Sequence, residues 1–85
     1  MLFRWNNEKN EWLIKHRNVC FEQAEILMAH EDVVDVIEHP NQGEYPNQKI
    51  AVIVINDYAY LVPYVQVSDD IFLKTMIPSR KATKK

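Results

Sequence analysis

Lys49-Ile50-Ala51-Val52-Ile53-Val54-Ile55, then Asn56-Asp57, then Tyr58-Ala59-Tyr60-Leu61-Val62-Pro63-Tyr64-Val65-Gln66-Val67, is the stretch that decides the fold. Two runs rich in β-branched and aromatic residues flank a dipeptide whose short polar side chains suit a tight two-residue turn. That pattern is a β-hairpin. Pro63 lies inside the second run and cannot donate to a ladder, so a bulge or an edge is expected there. On the C-terminal side, Ser68-Asp69-Asp70 reads as another turn and Ile71–Ile77 as a fourth strand. On the N-terminal side, Val33–Glu38 is β-branched and partly alternating, and it reads as the first strand. The segment His39-Pro40-Asn41-Gln42-Gly43-Glu44-Tyr45-Pro46-Asn47-Gln48 contains Pro-Asn-Gln twice together with the only glycine, which makes it a loop.

Upstream of residue 31 the periodicity changes. Asn6 or Asn7 can cap a first helix, because a short side chain can accept from free first-turn amides. Glu8 near its start and Lys15 and Arg17 near its end suit the helix dipole. Trp5, Trp12, Leu13 and His16 give it a rough apolar side. A second helix is predicted over Phe21–His30, with Cys20, Phe21, Ala24, Leu27 and Met28 on one face. Cys20 is a poor capping acceptor, although Gln23 stands where a capping-box partner would. Only Arg17-Asn18-Val19 is left for a turn, so the two helices are expected to pack as a hairpin. Pro78 breaks the chain before a short basic end, where Ser79 can cap a stub over Arg80–Lys85 that is either docked or frayed. The expected fold is α+β: two N-terminal helices on one face of a four-stranded, largely antiparallel sheet, with a short C-terminal stub, all in one domain over residues 1–85.

Composition removes several classes. At 47% apolar and 26% charged, the chain has the balance of a globular fold rather than a disordered one. No apolar run approaches the ~20 residues of a membrane helix, and no signal-peptide core is visible. One cysteine, Cys20, rules out an internal disulfide and fits a structural role in a reducing cytoplasm. One glycine cannot make a phosphate-binding loop, and one Cys with three separated His gives no zinc spacing. No metal or cofactor is therefore expected. His30 with Glu31, Asp32 and Asp35 reads as a solvated helix end in preference to a hard-cation site. Charge is segregated. Residues 19–48 carry seven acids and no Lys or Arg, whereas residues 71–85 carry Lys74, Arg80, Lys81, Lys84 and Lys85 with no acid. A basic end is compatible with phosphate binding or with a plain solvated tail.

The residues left for chemistry are those the sheet would present together. If Ile71, Leu73, Thr75 and Ile77 meet the helices, then Phe72, Lys74 and Met76 stand on the open face. Lys49 begins the second strand, His39 ends the first, and Arg80 follows the fourth. Tyr58, Tyr60 and Tyr64 share one face of the third strand. Cations, a tyrosine and a histidine on one open face can grip an RNA backbone and stack a base. An ordinary wet sheet face with scattered Lys and Tyr is the plainer alternative.

Phe3-Arg4-Trp5-Asn6, Lys9, Lys15-His16 and Phe21-Glu22-x-Ala24 resemble the opening of the BrnT-type toxins. Ile77-Pro78-Ser79-Arg80-Lys81-Ala82-Thr83 resembles that family's terminal Ile-x-x-Arg-Lys-Ala-Thr. Glu38–Gln42 and Tyr45–Gln48 match the Glu-His-Pro-Asn-Gln and Tyr-Pro-Asn-Gln of one branch. The resemblance implies a RelE-like fold and a cytoplasmic type II toxin: a metal-independent endoribonuclease held inactive by a proteic antitoxin. The antitoxin is expected to be of ribbon-helix-helix type and to come from a neighbouring gene. In that chemistry the RNA's own 2′-hydroxyl attacks the adjacent phosphate, with proton transfer and charge stabilisation supplied by the protein. Arg80, inside the matched motif, would hold the scissile phosphate. Lys49 and Lys74 would add charge, His39 would act as acid or base, and Tyr64 would stack a base or donate a proton. Lys81, Lys84 and Tyr60 would help to bind RNA. Two other classes stand beside this one: a non-catalytic binding module that keeps the toxin fold, and a nucleic-acid-binding regulator using the basic tail.

Overall fold

The computed structural model describes residues 2–83. In chain order these form β1 (Leu2–Arg4), α1 (Asn7–Arg17), α2 (Phe21–Ala29), β2 (Asp35–Glu38), β3 (Gln48–Ile55), β4 (Tyr58–Val67), β5 (Asp70–Leu73), β6 (Ile77–Pro78) and α3 (Arg80–Thr83). The protein is α+β, with six strands in one mixed sheet and three helices among the described residues. The order across the sheet is β1-β5-β4-β3-β2, and β6 pairs with the outer edge of β4. No helix among the described residues is long and apolar enough to cross a membrane.

The helical hairpin forms as its sequence dictates, with one addition. Asn6 Oδ1 accepts from the Lys9 amide at 3.1 Å and so caps α1. Asn18 ends it in the left-handed region at φ 56°, a conformation Asn tolerates. Gln23 Oε1 accepts from the Cys20 amide at 2.9 Å. A further cap of this helix start comes from Asn10 of α1. Its Oδ1 accepts from the Phe21 amide at 2.7 Å and its Nδ2 donates to Glu22 Oε1 at 2.9 Å. Asn10 is the buried polar residue among the described residues, and both its Oδ1 and its Nδ2 have a partner. The apolar stripe of α2 meets the sheet as expected, with Phe21 and Ala24 buried and Leu27 and Met28 packed beside them. On α1 Leu13 is the buried apolar residue, beside the buried Asn10. Trp12 and His16 face outward instead. The Trp12 ring lies under Lys9 Nζ at 4.1 Å and near the Arg17 guanidinium at 4.8 Å. Trp5 goes into the core, its ring centroid 5.7 Å from that of Phe21.

The β3–β4 hairpin has the expected register, from Ile55 opposite Tyr58 to Gln48 opposite Val65. Its turn residues Asn56 and Asp57 both take positive φ, 52° and 66°, as a two-residue hairpin turn requires. The helices cover the face that carries Ala51, Ile53, Ile55, Val62, Tyr64, Ile71 and Leu73.

Two features exceed the expected four strands. The first is β1, which runs parallel to β5 with Phe3 opposite Ile71, and whose Arg4 makes an exposed ion pair with Asp70 at 3.5 Å. The second is the division of the expected fourth strand into β5 and β6. Tyr64 faces Leu73 and Leu61 faces Ile77, so three residues, Lys74 to Met76, stand opposite two, Val62 and Pro63. This is a β-bulge, on the strand beside Pro63. It reverses the alternation that the sequence suggests. Ile71 and Leu73 point to the helices, but beyond the bulge Met76 is the buried residue and Ile77 is 41% exposed on the open face. The Arg17 guanidinium donates to the Met76 carbonyl and ties the end of α1 to this bulge.

The C-terminal stub is docked. Ser79 Oγ accepts from the Ala82 amide at 3.2 Å, which caps α3. Thr83 Oγ1 accepts from the Ala59 amide at 2.8 Å, and the Ser79 amide donates to the Ala59 carbonyl at 2.9 Å. Both main-chain groups of Ala59 on the outer edge of β4 are thereby paired.

Three outcomes follow from these bonds. Asn10→Ala leaves the Phe21 amide without its partner and is expected to cost about 1–3 kcal/mol in urea unfolding. Thr83→Val keeps the volume but removes the acceptor for Ala59, and a loss of about 1 kcal/mol or more is expected in the same assay. The Glu22 carboxyl is held below its ordinary 4.5, first by the Asn10 amide, then by its own backbone amide and by Cys20, with desolvation opposing. A lowered folded pKa means that this contribution is present above the unfolded value and is lost as pH falls through the folded one. A Tm series between about pH 6 and 3 should therefore fall less steeply in Glu22→Gln than in the wild type.

Candidate functional site

The open face of the sheet, opposite the helices, carries a hollow of about 410 Å³ lined by His39, Tyr45, Gln48, Pro63, Lys74, Thr75 and Ile77. Each wall has a local cause. His39 leaves the end of β2 with its amide bonded to the Gln48 carbonyl at 3.0 Å, so it turns into the loop while still tied to β3. Pro63 forms the floor. Lys74 and Thr75 belong to the bulge, and the Lys74 amide donates to the Pro63 carbonyl at 2.9 Å. The bulge puts Lys74 and Ile77 on the same face although they are three positions apart. Lys74 Nζ lies 4.6 Å above the Phe72 ring, an attraction of a cation to the ring's negative face.

His39 is oriented by two contacts. Its Nδ1 accepts from the Asn41 amide at 3.1 Å, and its ring stands 4.4 Å from that of Tyr45. With Nδ1 accepting, the neutral imidazole carries its proton on Nε2, so the ring is a donor there.

The expected site residues divide between the two faces. His39 and Lys74 come together in the hollow. Arg80 and Lys81 are exposed on α3, and Lys81 lines a second open-face groove of about 300 Å³ with Val34, Asp35, Ile37, Val52, Leu61, Ser79 and Ala82. Lys49, Tyr60 and Tyr64 lie on the other face. Lys49 is directly opposite Tyr64 across the β3–β4 ladder, and Tyr60 is opposite Ile53. Tyr64 is only 7% exposed and belongs to the core, so its ring is not open to a base. Burial also pushes its phenol pKa up, which makes it a weaker proton donor than a free tyrosine. Tyr60 packs against the same core and meets Tyr58 edge to face at 5.9 Å. Lys84 lies outside the described residues.

Sequence reasoning missed Tyr45 and Thr75. Tyr45 sits in the loop beside the second Pro-Asn-Gln, and that duplication was the available signal. Thr75 was expected to face the helices, and only the bulge turns it toward the hollow. Within the C-terminal motif, Ser79 and Thr83 are spent on the backbone bonds that dock α3, which leaves Arg80 and Lys81 as its exposed polar side chains. Among the described residues no three His, Cys, Asp or Glu side chains converge as a metal site. His30 Nδ1 lies 2.8 Å from the Ile26 carbonyl, so that histidine serves its own helix end.

Comparison with protein-family models, with curated proteins and with solved structures finds no match to this chain.

Proposed function

We propose that this chain is the toxin of a bacterial type II toxin–antitoxin pair, a RelE-like endoribonuclease of the BrnT kind that cuts RNA without a metal. The observation that carries the reading is the open-face hollow that joins His39 to Lys74, on the same sheet face as the groove lined by Lys81 of the docked α3, whose exposed side chains are Arg80 and Lys81. The resemblance of both chain ends to that family supports it.

The chemistry needs few groups, because the nucleophile is the substrate's own 2′-hydroxyl. Holding the 2′-oxygen in line with the scissile bond supplies much of the acceleration. The phosphate gains negative charge as the bond forms, and Lys74 and Arg80 stabilise it, the arginine through two parallel donors. With Nδ1 engaged by the loop, the neutral His39 ring presents Nε2–H, which hydrogen-bonds the leaving 5′-oxygen as charge builds there. Solvent water takes the 2′-proton and returns a proton to the 5′-oxygen, so the protein ends the step in its starting protonation state. Lys49, Tyr60 and Tyr64, on the helix-covered face, take no part in this arrangement. A proteic antitoxin would block the site by covering the hollow and α3.

One observation favours a second reading. The five expected catalytic residues do not share a face, as a non-catalytic module that keeps the toxin fold would allow. The two readings differ in product. Labelled single-stranded RNA incubated with the purified chain in chelator should yield fragments ending in a 2′,3′-cyclic phosphate. Arg80→Ala and Arg80→Lys should each lower cleavage by ~10²-fold or more with Tm unchanged, whereas Lys15→Ala, on α1, should change little. Binding without any cleavage by the wild type supports the second reading. A lowered Tm in Arg80→Ala, with cleavage per folded molecule unchanged, makes Arg80 structural.

A further inference from the structure

The loop joining β2 to β3 is exposed from residue 40 to residue 47, yet its polar side chains are almost wholly committed to its own backbone. Gln42 Nε2 donates to the carbonyls of His39 at 2.9 Å and Gln48 at 3.1 Å, and Gln42 Oε1 accepts from the Asn47 amide at 3.2 Å. Asn41 is used as fully. Its Oδ1 accepts from the Glu44 amide at 3.2 Å, its Nδ2 donates to Glu44 Oε2 at 3.2 Å, and its carbonyl accepts from the Tyr45 amide at 2.9 Å. Asn47 takes the left-handed conformation at φ 62° that turns the chain back into β3. Side-chain bonds of this kind replace the packing that an exposed loop lacks. What they fix is the pair of rings at the loop's base, with His39 and Tyr45 4.4 Å apart and inclined at 38°. Tyr45 remains 40% exposed on the rim of the hollow that holds Lys74 and Thr75.

We propose that Tyr45 is the base-stacking residue of this site and takes one unpaired nucleobase of single-stranded RNA on the ring surface that His39 leaves open. The assignment rests on the RNA-cleavage reading above and names the part of the substrate that the loop recognises. Every base has a flat π face, so an aromatic side chain can hold any of them, and a ring already ordered by its loop loses little freedom on binding. Base and backbone are then read by different groups: Tyr45 stacks the base while Lys74 and Arg80 meet phosphate. The other tyrosines are poorly placed for this. Tyr58, Tyr60 and Tyr64 sit on the face that the helices cover.

The test is binding rather than cleavage. Single-stranded RNA with 2′-O-methyl riboses cannot undergo 2′-attack, and its affinity is read by fluorescence anisotropy. Tyr45→Ala and Tyr45→Leu should each bind at least about tenfold more weakly than the wild type, the loss expected for one stacked base. Tyr45→Phe keeps the ring and should restore affinity to within about twofold. An RNA duplex, whose bases are already stacked, should bind wild type and Tyr45→Ala alike. All three variants should keep the wild-type Tm, because residue 45 packs on an exposed loop. Equal single-strand affinity for wild type and Tyr45→Ala, or full affinity in Tyr45→Leu, overturns the stacking assignment and leaves the cleavage reading standing. A wild type that binds no single-stranded RNA overturns both.

Discussion

A proline in the middle of the longest strand is the constraint from which much of this structure follows. Pro63 lies in β4, between β3 on one edge and β5 and β6 on the other. In an extended chain the N–H and C=O of one residue point to the same edge. The Pro63 carbonyl accepts from the Lys74 amide, so the missing N–H lies on that edge too. A regular ladder would have the two residues exchange both bonds, and here one of them cannot form. The partner strand departs at that point, runs through an extra residue, and returns as β6. The bulge sends Met76 into the core, where it is fully buried, and leaves Lys74 and Ile77 outside. Arg17 then reaches across from α1 to bond the Met76 carbonyl. An arginine at the end of a helix thus serves a strand 59 residues away.

The same economy governs the C-terminal motif. Ile77-Pro78 pairs with β4 in register, and Ser79 and Thr83 bond Ala59 through backbone and hydroxyl groups. Four residues cannot sustain a helix by their own hydrogen bonds. What keeps α3 in place is that it completes the edge of β4, where Ala59 would otherwise present an unpaired donor and acceptor. Arg80 and Lys81 are therefore carried on a segment whose position is set by the sheet.

The β3–β4 hairpin with its Asn56-Asp57 turn, the approximate helix limits, the turn at Arg17-Asn18-Val19 and the capping roles of Asn6 and Ser79 were legible, because each depends on residues within a few positions of one another. The failures were of a different kind. β1 spans three residues and pairs in parallel with a strand almost seventy positions away, so it has no local periodicity to betray it. Part of the cap of α2 comes from Asn10, on another helix, and that part is invisible to a reading of Cys20 and its neighbours. Alternation showed that Tyr58, Tyr60 and Tyr64 share a face but not which face the helices would choose. β3 is apolar on both sides, with Ile50 and Val52 as buried as Ile55, so its sequence does not break the tie. The candidate site was legible only in part for that reason: His39 and Lys74 fall on the open face, whereas Lys49, Tyr60 and Tyr64 fall on the covered one.

Pro63 also explains why the site stands where it does. A hollow on a sheet face needs something to rise around it, and an unbroken ladder offers only flat, alternating side chains. Here the bulge raises one wall and the self-bonded loop after β2 raises the other, with Pro63 as the floor between them. The loop wall is held by Asn41 and Gln42 without core burial. The bulge wall is held by the Lys74 amide, by the Arg17 guanidinium and by Met76 buried in the core. The rings of the loop are therefore set apart from the core, whereas the cation on the bulge is tied to it. Restoring a donor at position 63 would remove the reason for the bulge, return the strand to regular alternation, and turn Ile77 toward the helices in place of Met76. The residue that interrupts the ladder is thus the one that separates the face that stabilises the protein from the face that is free to bind.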